Sequence, residues 1–412
     1  MPDLSSPDKH LMKPYSKSYR WVIVVLLWLL YVTFGLVSRS VSPLITPILK
    51  DLGITYGQMG LILGSWQLTY IAVAVIAGAV IDKWGVRRPL FAGTIIIGLS
   101  ATLRYFPSGF NGFLPVVALF GVGGSLISIG APKAISKWFS GKSRGTAVGI
   151  YLTGLRIGGL LAFTTTNSFV MPLTGYSWRL TFVCYGLLTF AVALLWWLLA
   201  RDAKPTEDTG NSNISTVFSR LIKERNVRVI LLIGLLSFTV THGFTNWLPQ
   251  ILENAGLSPT TAGFTASIPL FISIPAVLVI PHAVPPRLRG RFIALLALLV
   301  TVALMVSVTA SASQLIMGLV LFGIAGSSSL PLLMLLLMDT PEVGSEYMGS
   351  AGGIFFCVAE IGGFAGPLLM GALVDMTGDF LAGTAFLAAL CLVIFALTFL
   401  LKTPPASKPE AL

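Results

Sequence analysis

The stretch WVIVVLLWLLYVTFGLVSRSVSPLITP (residues 21–47) is apolar almost throughout and carries one charged side chain, Arg39. About 20 apolar residues allow an α-helix to cross the hydrocarbon core of a bilayer. The stretch is too long for the apolar region of a secretory signal peptide, and no small-residue cleavage site follows it. It therefore predicts a retained membrane-spanning helix.

The composition extends this prediction to the whole chain. Of the 412 residues, 55% are hydrophobic and only 10% are charged, which excludes an ordinary soluble protein. A window of about 20 residues finds twelve candidate spans bounded by charge, glycine or proline. They cover residues 21–47, 57–81, 88–106, 112–135, 144–169, 177–200, 228–252, 259–282, 291–310, 313–338, 346–371 and 378–401. We predict an all-α membrane protein with twelve transmembrane helices.

The net charge of +11 is explained by topology. When successive helices alternate in direction, nearly all of the 27 lysines and arginines fall on one side of the membrane, and the other side holds only Lys50, Arg104 and Arg179. Basic residues mark the cytoplasmic loops of membrane proteins. We expect a location in the cytoplasmic (inner) membrane with both termini in the cytoplasm. The lipid bilayer is an expected partner, and nucleic acid is not.

One polar segment divides the chain. The residues RDAKPTEDTGNSNISTVFSRLIKERNV (201–227) separate six predicted helices from six more. Internal repeats of this kind allow a transporter to place its substrate site between two bundles that rock against each other. We predict an N-terminal six-helix bundle (residues 1–200), a cytoplasmic linker (201–227) and a C-terminal six-helix bundle (228–412).

The loop after the second helix has the sequence GAVIDKWGVRR (residues 78–88). The first glycine permits close helix approach, the second permits a tight turn, and the aspartate can accept hydrogen bonds from a helix end or pair with arginines. This pattern resembles the signature of the major facilitator superfamily, which implies a fold of two six-helix bundles. In that family the element is a conformational latch, which would comprise Gly78, Asp82, Gly85, Arg87 and Arg88. The second-half counterpart PPRLRGR (residues 285–291) lacks the aspartate.

Further segments resemble the cyanate and nitroimidazole transporter branch of this family. Arg39 followed by Pro47 is similar to its first-helix pattern, although Ser40 stands where that branch has a proline. The runs NWLP (residues 246–249) and GP (366–367) are also similar. The resemblance implies a carrier of small anions or small polar molecules.

Arg39 and Arg156 are basic residues inside predicted spans. An arginine at the bilayer centre costs about 3 kcal/mol on a lenient scale, so such residues normally face a polar cavity. The helical rise places Arg156 near mid-membrane, whereas Arg39 lies nearer the outer side, where it can snorkel. A guanidinium binds a carboxylate through two hydrogen bonds and keeps its charge, which suits a small anionic substrate. The alternative is structural pairing with backbone carbonyls or a buried acid.

The seventh predicted helix carries a polar stripe. His242, Asn246 and Gln250 recur every four residues and therefore share one face. We expect His242 and Asn246 to line a cavity. Helix-to-helix hydrogen bonding is the alternative, and for Gln250 it is the preferred interpretation. Gln67, on the second helix, is a further candidate for the cavity wall.

Glu360 is the acidic residue deepest in a predicted span. A buried carboxylate can take up and release a proton, so Glu360 is a candidate for proton coupling. The alternative is a permanent salt bridge with Arg156 or Arg39, and the sequence favours neither.

The chain lacks the usual signs of enzyme chemistry. Its three cysteines show no CxxC or Cys/His spacing, so we expect neither a disulfide nor a metal site. Nucleotide-loop, serine-hydrolase and zinc-protease motifs are missing. We expect no enzymatic activity and no cofactor.

These observations predict a secondary transporter that moves a small organic anion, a monocarboxylate or a cyanate-like ion, by alternating access, with proton coupling as an option. The substrate would be bound by Arg156, Arg39, His242, Asn246 and Gln67. We expect a monomer. Two alternatives stay open. One is an exporter of neutral or cationic drug-like compounds, and the other is a membrane receptor on a transporter fold that binds a ligand without moving it.

Overall fold

The computed structural model describes residues 19–202, 221–309, 312–343 and 347–401. Within these ranges the chain is helical and contains no β-strand. Twelve long helices follow one another along the chain. Their bounds are α1 Tyr19–Arg39, α2 Tyr56–Trp84, α3 Arg87–Leu103, α4 Phe110–Trp138, α5 Lys142–Thr165, α6 Trp178–Leu199, α7 Arg225–Asn254, α8 Pro259–Ala283, α9 Arg289–Thr309, α10 Ala312–Asp339, α11 Met348–Thr377 and α12 Phe380–Thr398.

The lengths and apolar composition of these helices confirm the predicted membrane fold. Eleven segments in the described part of the chain are long and apolar enough to cross a bilayer. The twelfth, α3, has 17 residues and is the shortest of the set. The division into bundles at residues 200 and 228 stays a prediction, because most of the linker lies outside the described residues.

Two helices are interrupted at the same end of the molecule. α1 ends at Arg39, earlier than the predicted position 47, because Pro43 follows and cannot donate a helical hydrogen bond. The chain then continues into a short helix, Ile45–Leu52. α5 runs into a π-helical segment, Thr166–Val170. α1 and α5 pack against each other along their length, so the two irregular segments are neighbours.

The two ends of the helix assembly differ. We call helices α1–α6 the first half and helices α7–α12 the second half. At one end, which we call the closed end, the two halves meet through the segment Ile45–Leu52, the start of α2 and the end of α11. At the other end, which we call the basic end, lie the basic loops of residues 83–88 and 287–291.

Helices α2 and α11 form the most extensive contact between the halves. A Cβ atom on Gly60 would lie 2.3 Å from the carbonyl oxygen of Pro367, and one on Gly64 would lie 2.6 Å from that of Phe364. Any larger residue would force the two backbones apart. Later residues of α2 meet earlier residues of α11, so the pairing is antiparallel.

Towards the basic end α2 and α11 separate. No atom lies within 4 Å of the Cβ position of Gly78 on α2, or of Gly349 and Gly352 on α11. Val75, on the same stretch of α2, is 80% exposed. The space between the halves is therefore open at the basic end.

A carboxylate joins the halves at the closed end. Asp375, near the end of α11, accepts hydrogen bonds from the backbone amides of Tyr56 at 2.9 Å and Gly57 at 2.7 Å. These amides belong to the first turn of α2, where they have no partner within the helix and carry partial positive charge. One half therefore supplies the cap for a helix of the other.

We expect Asp375→Asn to favour opening of the closed end. The substitution removes the negative charge beside the α2 N-terminus and leaves one amide without an acceptor, at a cost of about 1 kcal/mol. The ratio of open to closed molecules should rise about fivefold. Spin labels at the exposed positions Lys50 and Ala255, in a chain whose three native cysteines are replaced by alanine, would report the separation by pulsed EPR.

Asp379→Asn is the matched control. Asp379 caps α12 within the second half and accepts a hydrogen bond from the Leu381 amide at 2.9 Å. Asparagine caps helices as well as aspartate does, so this variant should keep the parent distance distribution. An unchanged distribution for Asp375→Asn would contradict the role assigned to that residue.

Candidate substrate site

Arg39 reaches across the space between the halves. It is the last residue of α1, and its Nη1 donates to Oγ1 of Thr245 and to Oδ1 of Asn246, each at 3.1 Å. Its Cγ lies 3.3 Å from the Cβ position of Gly159 on α5, so the small residue leaves room for the side chain. Both acceptors belong to α7 in the second half, and both are neutral.

Arg156 makes a similar contact from the middle of α5. Its Nη1 donates to Oγ of Ser273 on α8, in the second half. Within the described residues, neither Arg156 nor Arg39 has a carboxylate oxygen within 4.0 Å. The hydrogen-bond partners of these two guanidinium groups are therefore neutral oxygens of the second half, and Glu360 lies near enough to Arg39 to interact with its charge without a direct contact.

The two hydroxyl groups that accept from the arginines donate their own protons to backbone carbonyls. Thr245 donates to the carbonyl of Thr241 at 2.5 Å, and Ser273 donates to that of Leu270 at 2.6 Å. Serine and threonine in helices commonly bond in this way to the preceding turn. Their oxygen lone pairs are left to accept from the arginines.

A second polar contact joins the halves beside the arginines. Nε2 of Gln67 lies 3.1 Å from Nδ1 of His242 and 3.3 Å from the carbonyl oxygen of Gly363, to which it donates. In this amide orientation Nε2 of Gln67 donates, and Nδ1 of His242 accepts the hydrogen bond. Oε1 of Gln67 is buried and has no hydrogen-bond partner.

Glu360 lies next to this contact. Its Oε2 is 2.8 Å from the Cβ position of Gly363, which is itself 3.4 Å from Nε2 of Gln67. Oε2 is buried without a hydrogen-bond partner. The alternative of a salt bridge with Arg156 or Arg39 is not realised in this conformation, because no such pair comes within 4.0 Å.

Aromatic side chains form one wall of the site. The Trp66 ring centroid lies 6.2 Å from that of Phe34, 5.4 Å from that of Phe120 and 6.4 Å from that of His242. The hydroxyl of Tyr70 accepts a hydrogen bond from Ser128 at 3.0 Å. The polar cluster therefore borders an apolar surface that carries a phenolic group.

The structure brings most of the predicted site residues together. The stripe on α7 faces the first half, as the spacing predicts: His242 contacts Gln67, Asn246 contacts Arg39, and Gln250 accepts from Thr46 at 2.9 Å. The sequence interpretation missed Ser273, because hydroxyl residues are frequent in membrane helices and show no distinctive spacing.

Arg104, which the sequence interpretation places on the outer side of the membrane, is buried inside the helix assembly. The residue is only 1% exposed. Its Nη1 donates to the carbonyl of Val37 at 3.3 Å and to Ser40 at 3.2 Å, and its guanidinium stacks on Phe182 at 5.0 Å. The last turn of α1 has carbonyls without helical partners, and Arg104 satisfies one of them.

The predicted latch makes different contacts from those expected. Gly85 has φ +77°, which provides the predicted tight turn. Asp82 pairs with Lys133 of α4 and not with an arginine. The amide of Arg87 donates at 3.0 Å to Asp202, which is the acceptor at this helix end, while the exposed Arg88 has no ion pair or hydrogen bond within the described residues. Gly78 makes no close helix contact in this conformation.

The described residues contain no group of three or more His, Cys, Asp or Glu side chains placed to hold a metal ion. The three cysteines are unpaired.

The sequence comparisons agree with this geometry. The profile of the Major Facilitator Superfamily matches residues 27–367. The chain belongs to this superfamily. A hexuronate transporter of Bacillus subtilis (strain 168) is 25% identical over 400 residues, covering 90% of this chain and 92% of the relative. A 2-nitroimidazole transporter of Escherichia coli (strain K12) is 26% identical over 395 residues, covering 92% and 95%.

Solved structures show the same fold. A bacterial homolog of the human lysosomal transporter Spinster, in an inward-facing and occupied conformation, superposes with a TM-score of 0.77 at 17% identity. The match covers 96% of this chain and 100% of the homolog. This superfamily member is a transporter and not an enzyme, and the predicted resemblance to the nitroimidazole transporters is confirmed.

We expect Arg104→Lys to lower the melting temperature of the transporter. A lysine ammonium cannot make the two hydrogen bonds of the guanidinium to Val37 and Ser40, and it cannot stack on Phe182. The free energy of unfolding should therefore fall by about 1–3 kcal/mol. Thermal unfolding in detergent measures the change. Lys50→Gln, at an exposed position near the same end, is the control, and equal melting temperatures for the two variants would contradict the buried role.

Proposed function

We propose that the protein carries a small organic anion across the membrane by alternating access, with Arg156 and Arg39 binding its negative group. One observation carries this proposal. Both arginines border the space between the halves, and their partners across it are the neutral groups of Thr245, Asn246 and Ser273.

Electrostatics explains why this arrangement suits an anion. A carboxylate adds Coulomb attraction and a two-point hydrogen bond to a guanidinium, which hydroxyl and amide oxygens cannot supply, and this attraction grows where water is excluded. A carboxylate can therefore replace the hydroxyl and amide oxygens at the two guanidinium groups with a gain in free energy. A cationic ligand would be repelled by the two positive charges.

The surrounding groups favour a hydroxylated monocarboxylate over a bare inorganic anion. Oε1 of Gln67 is an acceptor without a donor, and His242 and Asn246 lie close by. Amide and imidazole groups form hydrogen bonds with the hydroxyl groups of a ligand and do not neutralise its charge. The similarity to a hexuronate transporter supports a substrate of this class, since a hexuronate combines one carboxylate with several hydroxyls.

Glu360 is the proposed proton carrier. A carboxylate bound at the arginines repels a negative charge on Glu360, so binding of the anion and binding of a proton favour each other. Coupled binding of this kind gives proton symport. The absence of a hydrogen-bond donor on Oε2 leaves that oxygen free to take up a proton.

The element at residues 78–88 is the proposed latch of the basic end. If α2 and α11 keep their antiparallel register when that end closes, Gly78 meets the region of Gly349, where neither glycine now has a neighbour. Asp82 would then reach the first turn of α11, which starts at Met348. This contact would mirror the cap that Asp375 provides for α2.

We also propose the orientation implied by the basic loops. With the basic end in the cytoplasm, both termini are cytoplasmic and the site is open to the inside of the cell. The bacterial relatives support a location in the inner membrane. One chain supplies both walls of the site, so a monomer suffices for transport.

Export of a neutral drug-like compound is the second candidate. Similarity to a 2-nitroimidazole transporter and the aromatic wall around Trp66 favour it. In that case the arginines hold the halves together and bind no substrate.

We expect Arg156→Gln to reduce anion uptake by about 10- to 100-fold, because the variant loses a charge-assisted bond to the substrate. Proteoliposomes would be given labelled glucuronate, short monocarboxylates, cyanate and nitrate. Arg144→Gln, which alters an exposed arginine at the basic end, is the matched control. Uptake of a nitroimidazole that Arg156→Gln leaves unchanged, without uptake of any anion, would support export instead.

We expect Glu360→Gln to abolish accumulation driven by a pH gradient while keeping exchange of labelled for unlabelled substrate. The neutral amide imitates the protonated acid and cannot release a proton. Both fluxes would be measured in the same proteoliposomes. A variant that still accumulates substrate in response to the pH gradient would exclude Glu360 as the proton carrier.

A further inference from the structure

A groove of about 500 Å³ lies on the first half of the protein near the basic end. Its walls come from α2 and α3, and Leu126 of α4 contributes to its floor. The α2 wall includes Val73, Ile76 and Val80, and the α3 wall includes Phe91. The lining is almost entirely apolar, and no residue of the second half contributes to it.

The groove exists because α2 and α3 both pack extensively on α4 and only slightly on each other. Gly93 of α3 and Gly123 of α4 approach so closely that a Cβ on either would lie within 2.8 Å of a carbonyl oxygen of the other helix. A comparably close approach joins Gly121 of α4 to α2. The neighbouring flanks of α2 and α3 are left separated.

The groove faces the lipid and not the substrate pathway. Gly60 and Gly64 lie on the face of α2 that meets the second half, and helical periodicity places Gly78 on the same face. Val80 follows Gly78 by two residues, which turns it about 200° around the helix axis. The groove is therefore on the side of α2 that points away from α11, so closure of the basic end would leave it accessible.

Polar groups suited to a lipid phosphate lie at the mouth of the groove. Trp84 is 57% exposed, and Arg88 is exposed without an ion pair or hydrogen bond within the described residues. The nearby acids are already engaged, since Asp82 pairs with Lys133 and Asp202 caps the start of α3. The positive charge of Arg88 is therefore uncompensated at the membrane surface.

We propose that this groove binds an anionic phospholipid, with an acyl chain between α2 and α3 and the phosphate at Arg88 and Trp84. An apolar groove at membrane depth is filled by hydrocarbon, because water gains no hydrogen bonds there. Arginine binds phosphate through two parallel hydrogen bonds, and tryptophan prefers the headgroup level. The charge at the mouth selects an anionic headgroup over a zwitterionic one.

Native mass spectrometry of the full chain, released from nanodiscs that contain equal phosphatidylglycerol and phosphatidylcholine, tests this proposal. We expect the parent protein to retain phosphatidylglycerol in preference to phosphatidylcholine. Arg88→Gln should lower that preference about fivefold, the factor expected for one surface cation facing an anionic lipid. Arg144→Gln, which removes an exposed arginine at the same end but outside the groove, should keep it.

A second variant tests the acyl-chain part of the site. Ala92→Trp places a large side chain in the groove and should reduce retention of both lipids. Melting temperatures would confirm that each variant is folded. Equal retention of the two lipids by the parent, or equal loss in Arg88→Gln and Arg144→Gln, would overturn the headgroup assignment. Full retention in Ala92→Trp would overturn the groove assignment.

Discussion

The structure depends on one constraint, which is that a guanidinium cannot remain in hydrocarbon without acceptors. Arg39 and Arg156 are both set on the first half, and their acceptors all come from the second. The requirement for partners therefore draws the two halves together around the arginines. Because those partners are neutral, neither guanidinium has a carboxylate in direct contact, although Glu360 acts on Arg39 from a greater distance. The same constraint thus joins the two halves and supports the proposed anion site.

The helix pair α2 and α11 is in close contact at one end and separated at the other. Glycines let the two backbones meet at the closed end, while those nearer the basic end, such as Gly78 and Gly352, face open space. Asp375 of α11 caps α2, and Asp82 of α2 is the residue proposed to make the equivalent contact with α11. While α11 is distant, Asp82 is paired with Lys133 of its own half. In the proposed latch, closure at the basic end would exchange this ion pair within one half for a contact between halves.

Much of this fold could be predicted from the sequence, because a bilayer requires long apolar helices and tolerates few charges. The same reasoning identified Arg39 and Arg156, since charges inside such helices need a special environment. Contacts set by tertiary structure were not predictable. From the sequence, Arg104 is expected in a loop. In the structure it binds a carbonyl that lacks a helical partner because α1 ends at Arg39. The capping role expected of Asp82 belongs, at the α3 start, to Asp202, which lies far away in the sequence.

The early end of α1 also affects the electrical character of the site. A helix C-terminus carries a partial negative charge from its aligned peptide dipoles. Arg39 is the terminal residue of α1, so part of its charge is balanced by the backbone, whereas Arg156 lies in the middle of α5. The electrostatic potential is therefore less positive at Arg39 than at Arg156, although the two side chains are identical. A molecule with one charged end and one neutral end would enter with a preferred direction, its negative end towards α5.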